Sequence, residues 1–82
     1  MSMFKTAVQS LKEEFKETRK ELTGANLITM EGFQEMVVKD FPQYNCPEGY
    51  KIIRNVWYGR SADLNLSRAI EKAKTNLIPP VE

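Results

Sequence analysis

The segment from Asn45 to Leu66, NCPEGYKIIRNVWYGRSADLNL, constrains the fold more than any other part of the chain. It has a proline where a helix tolerates one, in the first turn, and a glycine where helices commonly end in the left-handed conformation. Between them, apolar residues recur at spacings of three and four. The segment therefore predicts a helix from about Pro47 to Tyr58, ended by Gly59. The side expected to face a core carries Ile52, Ile53, Val56 and Trp57.

A β-strand is the competing interpretation of the same residues. Tyr50 to Tyr58 is rich in Ile, Val, Trp and Tyr, all of which favour strands. However, Ile52 and Ile53 are adjacent, which breaks the alternation that a half-buried strand requires. The signals at both ends also favour the helix.

The start of this helix has two equally good local signals. Asn45 with Glu48 three residues later has the spacing of a capping box, although asparagine replaces serine or threonine. Cys46 as the N-cap, followed by Pro47 at the first helical position, fits as well. Both alternatives begin the helix at nearly the same point of the chain.

Residues 3–23 predict an N-terminal amphipathic helix, with Gly24 as its left-handed stop. Its apolar residues form a narrow, heptad-like stripe of Phe4, Val8, Leu11, Phe15 and Leu22. This stripe packs onto the rest of the domain or, alternatively, onto the same helix of a second copy. Three heptads permit that second contact without requiring it.

Two more helices are predicted on either side of the central segment. Thr29 is a suitable N-cap for a helix over 30–41, which Pro42 ends because the residue before a proline avoids the helical region. Ser61 or Asp63 caps a last helix that runs to about Leu77. Its inner face is expected to carry Leu66, Ala69, Ile70, Ala73 and Leu77. The chain is therefore predicted to be one all-α domain, 1–82, of four helices. It comprises the N-terminal helix, a core over 30–77 and a tail over 78–82.

Composition narrows the functional classes. The 82 residues, 41% apolar and 28% charged, fit one globular domain, and no stretch approaches the ~20 apolar residues of a membrane span. The N-terminus lacks the pattern of a secretory signal, so we expect a cytoplasmic protein without membrane contact. Net charge is only +1, but residues 46–82 carry six basic and four acidic groups. The second half is thus mildly basic, which is only a weak indication of nucleic-acid binding.

The chain lacks the residues that most sites of catalysis and metal binding use. It contains no histidine, and Cys46 is its single cysteine. An internal disulfide, a zinc site and a Ser–His or Cys–His nucleophile pair are therefore excluded. We expect no enzyme activity, no metal and no cofactor.

The run IIRNVWYGRSADLNLSRAIEKA resembles the second half of a lambda-repressor-like (Cro-type) helix-turn-helix domain. The resemblance covers about 30–75, with Ile53, Trp57, Gly59, Leu66 and Ile70 at corresponding positions. One departure is clear: the connection DFPQYNCPEGY is several residues longer than the tight turn of the family and lacks its usual glycine. The resemblance implies a small four-helix domain that contains a helix-turn-helix-like unit with an extended turn.

The resemblance also implies that the helix near 47–58 lies in the major groove of DNA. Arg54 would then pair with guanine through two donors, and Asn55 with adenine. Residues just beyond the helix, with Arg68, would hold phosphates. For each of these residues, the alternative is that its side chain is solvated at the surface and binds nothing. The candidate DNA-binding residues are Tyr50, Lys51, Arg54, Asn55, Arg60 and Ser61.

The function expected from these residues is DNA binding by a small transcriptional regulator of a phage or mobile element. It would act by occupying a site on double-stranded DNA, as a homodimer paired through the N-terminal helix. The alternative is a protein-interaction or assembly module that binds no nucleic acid. In that case the basic and aromatic face of residues 50–60 meets another protein.

Overall fold

The computed structural model of the chain describes residues 6–78. Within that range it forms four α-helices and no β-strand, which confirms the predicted all-α class. The helices are α1 (Ala7–Gly24), α2 (Met30–Asp40), α3 (Pro47–Trp57) and α4 (Leu64–Leu77), with a 3-10 turn (Pro42–Tyr44) between α2 and α3. Residues 3–5 of the predicted first helix, Phe4 among them, and 79–82 of the predicted tail lie outside the described range.

All four helices contribute to a single core. Three aromatic rings join α1, α2 and α3: the centroid of Phe33 lies 5.5 Å from that of Phe15 and 5.4 Å from that of Trp57. The ring of Phe15 also meets that of Trp57 edge-on at 6.4 Å. Such ring pairs contribute roughly 0.5–1.5 kcal/mol each beyond the area they bury. The buried face of α4 covers this cluster with Leu66, Ala69, Ile70 and Ala73.

Polar contacts between α1 and α4 show how the two helices are oriented. The Thr18 hydroxyl donates to the Glu71 carboxylate at 2.8 Å, and Lys74 pairs with Glu21 at 3.1 Å. Both pairs have the same sequence offset, so α1 and α4 run parallel. Thr18 is buried, whereas Lys74 and Glu21 are largely exposed, so their ion pair contributes at most about 1 kcal/mol.

Helix caps resolve the alternatives that the sequence left open. Cys46 is the N-cap of α3, its sulfur accepting from the Gly49 N–H at 3.3 Å. The side-chain oxygen of Asn45 instead accepts a hydrogen bond from the Tyr50 hydroxyl. Asp63 caps α4 by accepting from the Leu66 N–H at 3.1 Å. The predicted Thr29 cap is confirmed by its bond from the Gly32 N–H at 3.1 Å.

The prediction that Gly24 supplies a left-handed stop is wrong. Gly24 is the last residue of α1, and the left-handed residue is Asn26, with φ of 56°. The Asn26 N–H bonds to the Thr23 carbonyl at 3.0 Å, and the Leu27 N–H bonds to the Leu22 carbonyl at 2.9 Å. These two bonds form a Schellman motif, and asparagine tolerates its left-handed position better than most residues do.

Three residues predicted to face the core are more exposed than expected. Ile52 is 39% exposed because it lies at the margin of the buried face of α3, and Leu77 is 41% exposed at the last residue of α4. The stripe on α1 divides: Phe15 and Leu22 are buried, whereas Val8 is 54% exposed. Phe15 and Leu22 thus pack onto the core, whereas Val8 does not.

The long connection between α2 and α3 is a folded element that depends on a glycine. The chain passes so close to the first turn of α3 that a Cβ on Gly49 would lie 2.0 Å from the carbonyl oxygen of Tyr44. Tyr44 itself is buried, and its hydroxyl donates to the Asp63 carboxylate at 2.8 Å and accepts from Asn65 at 3.2 Å. Burial, more than the nearby Asp63, raises the pKa of the Tyr44 phenol, which therefore stays a hydrogen-bond donor at neutral pH.

Gly49→Ala should therefore destabilise the fold. The added methyl collides with backbone, which can yield only by moving the turn, so we expect urea denaturation to show a loss of about 2–3 kcal/mol. Gly24→Ala is the matched control, because no atom lies within 4 Å of its added Cβ. It should leave the free energy of unfolding unchanged or raise it by up to about 1 kcal/mol. Equal stability of the two variants would show that the close approach is not required.

Candidate nucleic-acid interface

Helix α3 is held firmly on one side. Ile53, Val56 and Trp57 are buried, with exposed fractions of 0%, 2% and 7%. Its C-terminus closes in a second Schellman motif, in which Gly59 has φ of 79° and the Arg60 N–H bonds to the Asn55 carbonyl at 2.8 Å. The core anchor and the two fixed ends determine which side chains face outward.

The outward side of α3 carries basic and aromatic side chains. At 3.6 residues per turn, residues spaced by four, three and four fall on one line opposite the buried face. This line, which we name the outer ridge, consists of Pro47, Lys51, Arg54 and Tyr58, all exposed. Within residues 6–78, Lys51 and Arg54 make no ion pair. Both cations are therefore available to an external anion or acceptor.

The predicted site residues Tyr50 and Asn55 lie beside the outer ridge rather than on it. Tyr50 is half-buried, packs against the core and donates its hydroxyl to Asn45. Asn55 is also half-buried and lies on the opposite flank of the helix, at helical spacing from Glu48. These two side chains can reach only a ligand that wraps around the edges of α3.

Arg60 and Ser61 follow the helix directly. The guanidinium of Arg60 lies 5.5 Å from the ring centroid of Tyr58, within the range of a cation–π contact, and Ser61 is half-buried. Tyr58 was not among the predicted site residues, although its spacing of four from Arg54 signalled the same face. Arg60 thus lies against the 54% exposed ring of Tyr58, and Lys51 and Arg54 precede Tyr58 on the outer ridge.

A groove lies between α1 and the C-terminal end of α3. It has a volume of about 190 Å³, and we name it the α1–α3 groove. Helix α1 lines it with Lys12, Glu13, Phe15, Lys16 and Arg19, and the end of α3 lines it with Trp57, Tyr58 and Gly59. Tyr58 therefore belongs both to this groove and to the outer ridge.

Arg19 holds the two walls of this groove together. It donates from Nη1 to the Trp57 carbonyl at 2.9 Å, and its guanidinium carbon lies 5.9 Å from the centre of the Trp57 ring. That carbonyl belongs to the last residue of α3, where helix carbonyls lack partners and a positive charge is stabilising. Arg19 is thus committed to the fold, unlike the lysines beside it.

The described residues offer no obvious site for a metal. Between Thr6 and Ile78, no group of three or more Cys, Asp or Glu side chains is placed to hold a metal ion. None of the four helices in that range is long and apolar enough to cross a membrane.

Comparison of the chain with models of protein families, with curated proteins and with solved structures finds no match. The resemblance to a Cro-type helix-turn-helix domain therefore stays a prediction from the residues.

Arg19→Ala should lower the free energy of unfolding by about 1–2 kcal/mol, since it removes a charged hydrogen bond and a cation–π contact from a half-buried site. Lys20→Ala makes a comparable change at the next position of α1, which is exposed, and should stay within about 0.5 kcal/mol of the parent. Chemical denaturation of both variants tests this. A similar effect at both positions would contradict the role given to Arg19.

Proposed function

We propose that this protein is a small cytoplasmic DNA-binding protein, a transcriptional regulator that acts by occupying its site. Helix α3 would lie in the major groove of double-stranded DNA, as the helix-turn-helix resemblance implies. The observation that supports this most is the outer ridge, where Lys51 and Arg54 point away from the core without an ion-pair partner in residues 6–78.

The dimensions of α3 suit a groove. Eleven residues make a helix of roughly 16 Å, and a major groove about 12 Å wide admits an α-helix. Arg54 lies near the middle of the outer ridge, where its two parallel donors can reach O6 and N7 of a guanine. Lys51, one turn earlier, can reach a neighbouring base edge or a phosphate. Arg60 and Ser61, past the end of the helix, are suited to phosphates.

One small domain contacts few base pairs and binds a DNA site weakly. Useful affinity therefore favours a dimer of this protein. The N-terminal end of α1 offers a surface for pairing, since Val8 is 54% exposed in the apolar stripe. The parallel register of α1 and α4 places Leu11 level with Leu64, which is 59% exposed. These residues support a homodimer formed through the N-terminal helix.

A protein-interaction or assembly module is the second candidate. It is favoured by the exposed Ile52 at the margin of the buried face of α3 and by the net charge of only +1. Apolar and aromatic side chains next to cations also suit a protein surface. In this case α3 would bind a protein partner, and the protein would show no affinity for duplexes.

Selection from a pool of random duplexes at low and moderate salt tests the proposal directly. We expect enrichment of a common sequence and an affinity that falls as salt rises. Absence of both would remove the proposal. Capture of a protein partner together with a flat DNA titration would support the interaction module instead.

Arg54→Gln should weaken binding to the selected duplex by about 1–3 kcal/mol, on the order of ten- to a hundredfold, and relax the preference at one base pair. Lys39→Gln removes the same charge from the exposed surface of α2 and should change the affinity far less. Fluorescence anisotropy with the selected duplex and its single-base variants measures both. Equal effects of the two substitutions would place the outer ridge outside the interface.

A further inference from the structure

We propose that the α1–α3 groove holds the sugar–phosphate backbone of the bound duplex, with Lys12 and Lys16 as phosphate contacts. This inference rests on the proposed DNA-binding function and extends the interface from α3 to α1. Neither lysine belongs to the helix-turn-helix-like segment, and neither is among the residues that the sequence alone suggested.

The groove is continuous with the outer ridge. Tyr58 ends the ridge and also lines the groove, and Arg60 covers the ring of Tyr58 at 5.5 Å. A DNA strand at the edge of the major groove that α3 occupies would therefore follow the outer ridge as far as Tyr58. Beyond Tyr58 it would meet α1. The positive charge of Arg60 lies where the DNA strand would pass from the outer ridge to α1.

The charge and spacing of the α1 wall suit a polyanion. The groove is lined by three basic residues and one acidic residue, Glu13. Lys12 and Lys16 are one turn apart, about 6 Å along the helix axis. A DNA strand carries one phosphate per ~3.4 Å of duplex axis, so the two lysines can serve two phosphates of one strand. Because Arg19 is bound to the Trp57 carbonyl, these lysines provide the available donors of the wall.

The other neighbour of α3 is a poorer surface for phosphate. Helix α2 exposes Glu31 and Glu35, and like charge would repel the backbone there. The α1 wall of the groove, in contrast, carries Lys12, Lys16 and Arg19 against a single acidic residue, Glu13, which suits an anionic backbone. Charge complementarity therefore favours the α1 side of α3 over the α2 side.

The double substitution Lys12→Gln/Lys16→Gln tests the inference, with Lys20→Gln/Lys39→Gln as a control of equal charge outside the groove. Affinity is measured against salt concentration for the selected duplex and for an unrelated duplex. Since each lost phosphate contact lowers the slope of log K against log salt by about 0.9, we expect the first variant to lose about 1.8. Both duplexes should weaken equally, which leaves the specificity ratio unchanged. The control should retain most of the parent slope.

The outcomes separate this inference from the function on which it rests. If the parent protein binds no duplex, the DNA-binding proposal fails and the groove assignment fails with it. If the parent binds and Arg54→Gln weakens binding, but both double variants give the same slope, only the groove assignment is overturned. Thermal unfolding followed by circular dichroism confirms that each variant is folded, as expected for changes that neither bury nor expose a core residue.

Discussion

The contact between Gly49 and the carbonyl of Tyr44 is the constraint on which the rest of the structure depends. Because α3 has no side chain at that point, the connection from α2 can lie directly on its first turn. This position brings the Tyr44 hydroxyl to Asp63, the residue that caps α4. The connection between α2 and α3 is thereby folded into a link between α2, α3 and α4.

Helix α3 is consequently held from three directions. The turn covers its first residues, the aromatic rings of Phe15 and Phe33 meet Trp57 from α1 and α2, and Arg19 binds the carbonyl at its end. A helix fixed in this way presents its outer side chains with little freedom of the backbone. Such preorganisation reduces the ordering cost of binding, which is what a small recognition surface requires.

The elements of this fold could be predicted because their signals are local. Pro47 and Gly59 mark the ends of α3, and Thr29 and Pro42 mark those of α2, through conformational preferences of single residues. The stop of α1 could not be assigned as well, because Gly24 and Asn26 both permit a left-handed residue and only the bond from Leu27 to Leu22 selects the second.

Contacts between distant parts of the chain had no comparable signal. The sequence indicated Lys51 and Arg54 as outward residues because periodicity alone determines the face of a helix on which they lie. It did not indicate the close approach at Gly49 or the bond from Arg19 to Trp57, since both depend on how the helices pack. The groove between α1 and α3 follows from the same packing, and for that reason Lys12 and Lys16 emerged only from the structure.

The central claim is that the outer ridge of α3 contacts DNA. Backbone amide NMR, recorded as the selected duplex is added, tests it most directly because it reports every residue of a protein of this size. The account predicts shifts concentrated at Lys51, Arg54, Tyr58 and Arg60, with little change at Glu31 and Glu35 on the exposed face of α2. A response centred on α2, or none along α3 at saturating duplex, would contradict it.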